Sequence, residues 1–212
     1  MAFIHLHVHS YYSRNKGLAT PSALAAMAVE KEMPCLALTD QDTLSGMAEF
    51  IQACRQHGVK PIVGAELSVL FPVVNQTAQS IHHLTVLVES EVGYRNLISL
   101  LNLRNRQKTA KAPPAIPLAD LEANIRGLIV LSGCHVSRLF HVAQQKRLDE
   151  AVGHVQSLIR AAGREHVFME ILPPANSFDE KINRRLLELA AYTNIAAVAT
   201  QNIYYLKKSD HL

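Results

Sequence analysis

Seven short apolar runs alternate with stretches of helical periodicity along this chain, and most of the runs end on a polar or titratable residue. They are Phe3–Val8, Cys35–Thr39, Pro61–Ala65, His83–Val88, Leu128–Leu131, Val167–Ile171 and Ile195–Thr200. Between them, helices are predicted over Ala23–Lys31, Leu44–Gln56, Gly93–Leu103, Leu118–Asn124, Arg147–Ala162 and Phe178–Tyr192. Thr20-Pro21 reads as an N-cap with proline at the first helical position, and His57-Gly58 and Gly163 read as helix stops. Leu67–Val74 reads as an extra extended segment, Asn75–Ser80 as a turn and Arg104–Pro117 as a solvated loop carrying Arg104, Arg106, Lys108 and Lys111. Strand and helix in regular succession imply a parallel sheet. Seven units in about 200 residues favour an α/β fold of the distorted, seven-stranded βα (TIM-like) barrel type over an open doubly wound sheet. No glycine-rich phosphate fingerprint follows any run, which weakens the dinucleotide-binding alternative.

The 49% hydrophobic content can bury a sizeable core, and residues 1–212 read as a single domain. The net charge of +3 is dispersed and selects no nucleic-acid partner. Cys35, Cys54 and Cys134 are widely spaced, without CxxC, which argues against a disulfide framework and for a reducing, cytoplasmic setting. No apolar run reaches the 18 or so residues of a membrane span.

The first run is the richest in chemistry. In a strand, alternate side chains share a face, so His5, His7 and His9 would lie together opposite Ile4, Leu6 and Val8. Imidazoles so placed can hold or bridge divalent ions, while a His-rich edge strand facing water is the plainer alternative. In βα-barrels the functional groups gather at the carboxyl ends of the strands. His7 and His9, Asp40, Glu66, Cys134 and Asn202 each close a run, and His83 opens one. Taken singly, Asp40 could be the N-cap of the helix from Leu44, and Cys134 a small buried hydrophobe. Taken together they read as a metal site of the kind that activates water and neutralises phosphate.

The segments His5–Ser10, Ala37–Asp40 with Leu44-Ser45-Gly46, Lys60–Glu66, His83–Thr85, Gly93–Leu97, Leu131–Cys134 and Ala199–Leu206 resemble the successive motifs of the polymerase and histidinol phosphatase (PHP) domain. The form is that found at the N-terminus of the bacterial DNA polymerase III alpha subunit. The resemblance implies metal ligands at His7, His9, Glu66, His83 and Cys134, with His5 and Asp40 behind them. Four ligand positions of the family are changed, to Lys16, Gln41, Asn202 and Tyr204. Lys16 puts a cation where an ion wants a carboxylate, Asn202 removes a negative charge, and Gln41 and Tyr204 are weak donors. The resemblance therefore implies one or two divalent ions (Zn, Mn or Fe), reduced or absent relative to a three-metal site.

The expected function is a structural and docking domain of a DNA polymerase III alpha-like polymerase in DNA replication. Its partners would be the remainder of the alpha subunit and a proofreading exonuclease, with DNA met only indirectly and no membrane. A surplus of apolar surface is then expected near the C-terminal residues. Two alternatives stay open. One is a metal-dependent phosphoesterase, a 3'–5' exonuclease or small phosphatase, using the residual ligands with Lys16 or Arg14 on the phosphate. The other is a metal-free hub in which Lys16 replaces the missing positive charge.

Overall fold

The computed structural model describes residues 3–14, 16–72, 79–107 and 113–210. The fold is mixed α/β, with seven strands and seven α-helices among these residues. The chain divides into two compact units, Met1–Glu66 with Thr200–Leu212, and Leu67–Ala199.

In the first unit, β1 (Cys35–Leu38) pairs in parallel with the start of β2 (Lys60–Pro72), in the register Cys35↔Lys60 to Leu38↔Val63. Helix α1 (Pro21–Glu30) starts as the sequence predicts: the Thr20 hydroxyl accepts the Ala23 amide, and proline occupies the first turn. Helix α2 (Met47–His57) ends at Gly58 in the left-handed conformation, as read from the His-Gly pair. Its start differs, because Gly46 caps it without a side-chain bond. Val8, Leu24, Ala25, Leu36, Leu38, Phe50 and Cys54 form the core of this unit.

The first predicted strand is corrected. Only an isolated parallel bridge, Val8↔Ile203, is formed there, although the segment is hydrogen-bonded on both sides. The His5 and Val8 carbonyls accept from Ala37 and Thr39, while the His7 carbonyl and His9 amide pair with Ile203. In a regular strand, backbone groups pointing to one side recur every second residue. His5 and Val8 are three apart, so the alternation slips by one between His5 and His7. His5 consequently faces a cavity of about 310 Å³ together with Val8, Leu24 and Ile203. The three imidazoles do not share a face.

In the second unit the strand order is β2, β3 (Gln79–Val88), β5 (Leu128–Leu131), β6 (Val167–Ile171), β7 (Ala196–Ala199), with the two-residue β4 (Ile116–Pro117) on β2. The extended segment after Glu66 is continuous with β2 as far as Pro72. The all-parallel expectation fails at β3, which runs antiparallel to β5. Six residues separate β2 from β3, fewer than the dozen or so that a parallel crossover needs. Helix α3 (Glu91–Arg106) takes Arg104 and Arg106 out of the predicted loop and into its last turn. Helices α4 (Leu118–Ala123), α6 (Leu148–Ala162) and α7 (Ser177–Thr193) lie near their predicted bounds, whereas α5 (Arg138–Gln144) was not foreseen. Lys108, Lys111 and positions 75–78 of the predicted turn lie outside the described residues.

The Gly-Tyr-Arg-Asn-Leu segment has a physical reason for its glycine. A Cβ at Gly93 would stand 1.8 Å from the Gly127 carbonyl oxygen, so α3 sits against that backbone only without a side chain. Among the described residues the expected apolar surplus near the C-terminal end does not show: Ile203–Leu206 are half-buried. The large exposed apolar side chains include Leu148, Leu187 and Tyr192, on α6 and α7. No helix of the described residues is long and apolar enough to cross a membrane.

Phe71 meets the rings of His82 and His154 edge-on, at 5.7 and 5.0 Å. Burial, then the charges of Arg138 and His82, push the His154 pKa down to about 4. Burial is likewise the main cause that takes His82 to about 4. In the unfolded chain these groups bind protons below about pH 6.5, while in the folded chain they do so only near pH 4. Their contribution to stability is therefore complete above pH 6.5 and is lost as the pH falls toward 4. Urea midpoints measured from pH 7.5 to 4.5 should fall, and His154→Gln should reduce that fall; equal slopes for both proteins would refute the assignment.

Candidate metal centre

The first unit brings three of the predicted ligands together. His7 and His9 lie on the segment held by Ile203, Glu66 stands in β2, and all three are fully buried. His7 Nε2 lies 3.4 Å from Glu66 Oε1, and His9 Nε2 lies 3.8 Å from Glu66 Oε2. One donor atom from each of the three falls within 4.8 Å of the others. Two ligands of a tetrahedral ion, each about 2.1 Å from it, are about 3.4 Å apart, so this spacing suits a single divalent ion. The donor set suits one as well, since two imidazole nitrogens and a carboxylate oxygen are a set that Zn accepts. Among the described residues this is the one grouping of three or more His, Cys, Asp or Glu with such spacing.

Burial, followed by the charge of His7, pushes the His9 pKa down to about 3; Lys16 adds to the shift, while Glu66 and Asn202 oppose it. His9 is therefore neutral at physiological pH, as a ligand must be. Tyr204 stacks on the His9 ring at 4.5 Å and 8°. Its hydroxyl accepts the Asn202 amide at 2.9 Å. Asn202 and Tyr204 thus hold each other, and Tyr204 braces His9.

Lys16 is exposed, and its charge acts on His9 from outside. Gln41 pairs with Glu66 in an isolated parallel bridge. Asp40 is buried but does not cap α2. Its Oδ1 accepts from the Ser10 amide and the Ser13 hydroxyl, and its Oδ2 from the Ser10 hydroxyl, each at 2.7 Å. Ser13 in turn meets His9 Nδ1 at 2.9 Å. Asp40 therefore reaches the cluster through one hydroxyl. His5, half-buried beside Phe3, stands apart from it.

His83 and Cys134 belong to the second unit. His83 lies inside β3 rather than at its start, and bridges Ser137. Cys134 is buried after β5. Gly133, at φ +91°, lets that turn approach the His83 carbonyl, where a Cβ would stand 2.7 Å away.

Ser10 and Ser13 were missed in the sequence, where serine is too common to single out. The signal that could have found them is the turn Ser10–Ser13, directly after His9: a buried Asp40 needs donors, and this turn is the nearest polar stretch.

Comparison with known proteins places these motifs. The PHP domain family matches residues 5–173. The DNA polymerase III alpha subunit of Treponema pallidum is 32% identical over 99% of the chain, and that of Escherichia coli K12 is 32% identical over 98%. The error-prone DNA polymerase of Symbiobacterium thermophilum is 29% identical over 99%. The chain spans 18% of the first two relatives and 20% of the third. Among solved structures, a provisionally named metal-dependent phosphoesterase from Bifidobacterium adolescentis superposes with a TM-score of 0.61 at 15% identity, covering 97% of this chain and 88% of the other. An amidohydrolase from Chromobacterium violaceum gives 0.58 at 16%, covering 95% and 87%.

Asp40→Ala would leave the Ser10 amide and two buried hydroxyls without their acceptor. It should cost about 3 kcal/mol or more, read as a lower urea midpoint at unchanged m-value. A loss under about 1 kcal/mol would show that the turn is held by something else.

Proposed function

This chain belongs to the PHP domain family, and we propose that it is the N-terminal PHP domain of a cytoplasmic DNA polymerase III alpha-like polymerase, a structural and docking module in DNA replication. In this reading residues 1–212 are a single domain built as a distorted seven-stranded βα-barrel, with the remainder of the alpha subunit and a proofreading exonuclease as partners. Its metal site is cut down to one divalent ion, Zn by preference, on His7, His9 and Glu66. The observation that carries the reading is that three buried side chains able to hold an ion converge; beside it, Gln41, Asn202 and Tyr204 stand where the resemblance implies ligands. The resemblance assigns further ligands to His83 and Cys134, but the reading rests on the three of the first unit alone.

Bound there, the ion supplies positive charge beside the buried Glu66 carboxylate and ties the N-terminal segment to β2. The chain's own residues do the rest. Tyr204 holds the His9 ring in place, Asp40 and Ser13 hold its other edge, and Lys16 presents a cation at the outer side. Such an arrangement orders the segment without needing a second ion.

A second reading is a metal-dependent phosphoesterase, a 3'–5' exonuclease or small phosphatase. The Lys16 charge near His9 favours it, as a partner for a phosphate oxygen, and so does the likeness to a protein named as a phosphoesterase. The loss of acidic and imidazole ligands weighs against it, because stabilising a phosphoryl transition state with one ion is harder than with two.

Elemental mass spectrometry on protein purified without chelator or a metal-affinity column should find about one ion per wild-type chain and none in His9→Ala. At a hundredfold excess over Kd the ion adds about 2.7 kcal/mol. Chelation should therefore lower the melting midpoint by roughly 5–10 °C. Hydrolysis of single-stranded DNA ends or of a nitrophenyl phosphate should stay at background. Two or more ions with metal-dependent hydrolysis would establish the phosphoesterase; no ion and no chelator response would establish a metal-free hub.

A further inference from the structure

We infer that Ser13 is a positioning residue: through an Asp40–Ser13–His9 relay it fixes His9 as the Nδ1–H tautomer and aims the Nε2 lone pair at Glu66. The inference deepens the metal reading above and rests on it for its purpose, but not for its geometry. It follows from counting protons on one buried hydroxyl. Ser13 Oγ has one hydrogen to donate and two lone pairs to accept with. Asp40 only accepts here: Oδ1 takes the Ser10 amide, and Oδ2 takes the Ser10 hydroxyl, whose own oxygen accepts the Tyr12 amide. The Ser13 hydrogen therefore goes to Asp40 Oδ1, at 2.7 Å. One Ser13 lone pair takes the Gln41 amide at 3.0 Å.

What remains on Ser13 is a single lone pair, facing His9 Nδ1 at 2.9 Å. That contact is a hydrogen bond only if Nδ1 carries the hydrogen. In a neutral imidazole the other nitrogen is then bare. Nε2 faces Glu66 Oε2 at 3.8 Å, lone pair toward carboxylate, an arrangement that repels unless a cation lies between them. Without the relay the opposite tautomer would be preferred, with Nε2–H donating to Glu66 and the lone pair on Nδ1, turned away from Glu66. Ser13 is 1% exposed, so no water competes for the hydroxyl. Gln41, at one of the changed ligand positions, serves through its backbone amide, which any residue but proline supplies.

The test reads the tautomer directly. In ion-free wild-type protein, two-dimensional proton–nitrogen correlation spectra of the His9 ring should show a protonated Nδ1 and a pyridine-like Nε2. Ser13→Ala, checked for folding by circular dichroism, should move the hydrogen to Nε2. It should also weaken Zn binding 10- to 100-fold, measured with Zn alone against a chromophoric chelator. A wild-type Nε2–H would overturn the relay whether or not Ser13→Ala folds, and an unchanged Nδ1–H in Ser13→Ala would overturn the role of Ser13. The predicted tautomer and its switch in Ser13→Ala, with no Zn bound by the wild type, would uphold the relay and overturn only the metal reading.

Discussion

The hydrogen bonds that hold His5–His9 are what the first unit depends on. This segment forms no regular strand of its own, yet its backbone is engaged on one side by Ala37 and Thr39 and on the other by Ile203. Thr39 adds a side-chain clasp, its hydroxyl accepting the Val8 amide and donating to the Val8 carbonyl. Because these backbone groups have partners, His7, Val8 and His9 can be fully buried, and burial is the main cause that holds His9 neutral. Everything proposed about an ion follows from that.

A second constraint is the buried carboxylate of Asp40. A charge removed from water must be met by donors, and here the donors are the two serines of the turn that follows His9. The same turn therefore does two things. It offsets the cost of burying Asp40, and it presents a fixed acceptor to His9. Coupling of this kind explains how the cluster keeps an ordered ring at its centre: the order comes from the turn and the Tyr204 stack.

Much of the fold was legible in the sequence because it is written in local signals. Thr20-Pro21 and Gly58 marked helix ends, and the apolar runs from Cys35, Pro61, Leu128, Val167 and Ile195 marked strands, since propensity and capping act within a few residues. The reversal of β3 was within reach, since an extended Leu67–Val74 and a turn at Asn75–Ser80 leave too few residues for a parallel crossover. What was not legible depended on partners far away in the chain. The slip between His5 and His7 is set by Ala37 and Ile203, so no pattern within the segment could reveal it. For the site, His7, His9 and Glu66 were found because their residue types announce chemistry. Ser13 was not, because its importance lies in a proton count that only a three-dimensional neighbourhood defines.

The pairing of His7 and His9 with Ile203 joins residues separated by nearly the whole chain. Contacts of such long sequence separation form late, since loop closure must precede them. As the chain leaves a ribosome, His7 and His9 lack one of their two hydrogen-bonding edges until Ile203 has emerged. Throughout that interval two imidazoles and their apolar neighbours wait for a partner while Leu67–Ala199, a compact unit, is made and can fold. The segment that carries His7 and His9 is thus made long before Ile203 and is among the last to be secured.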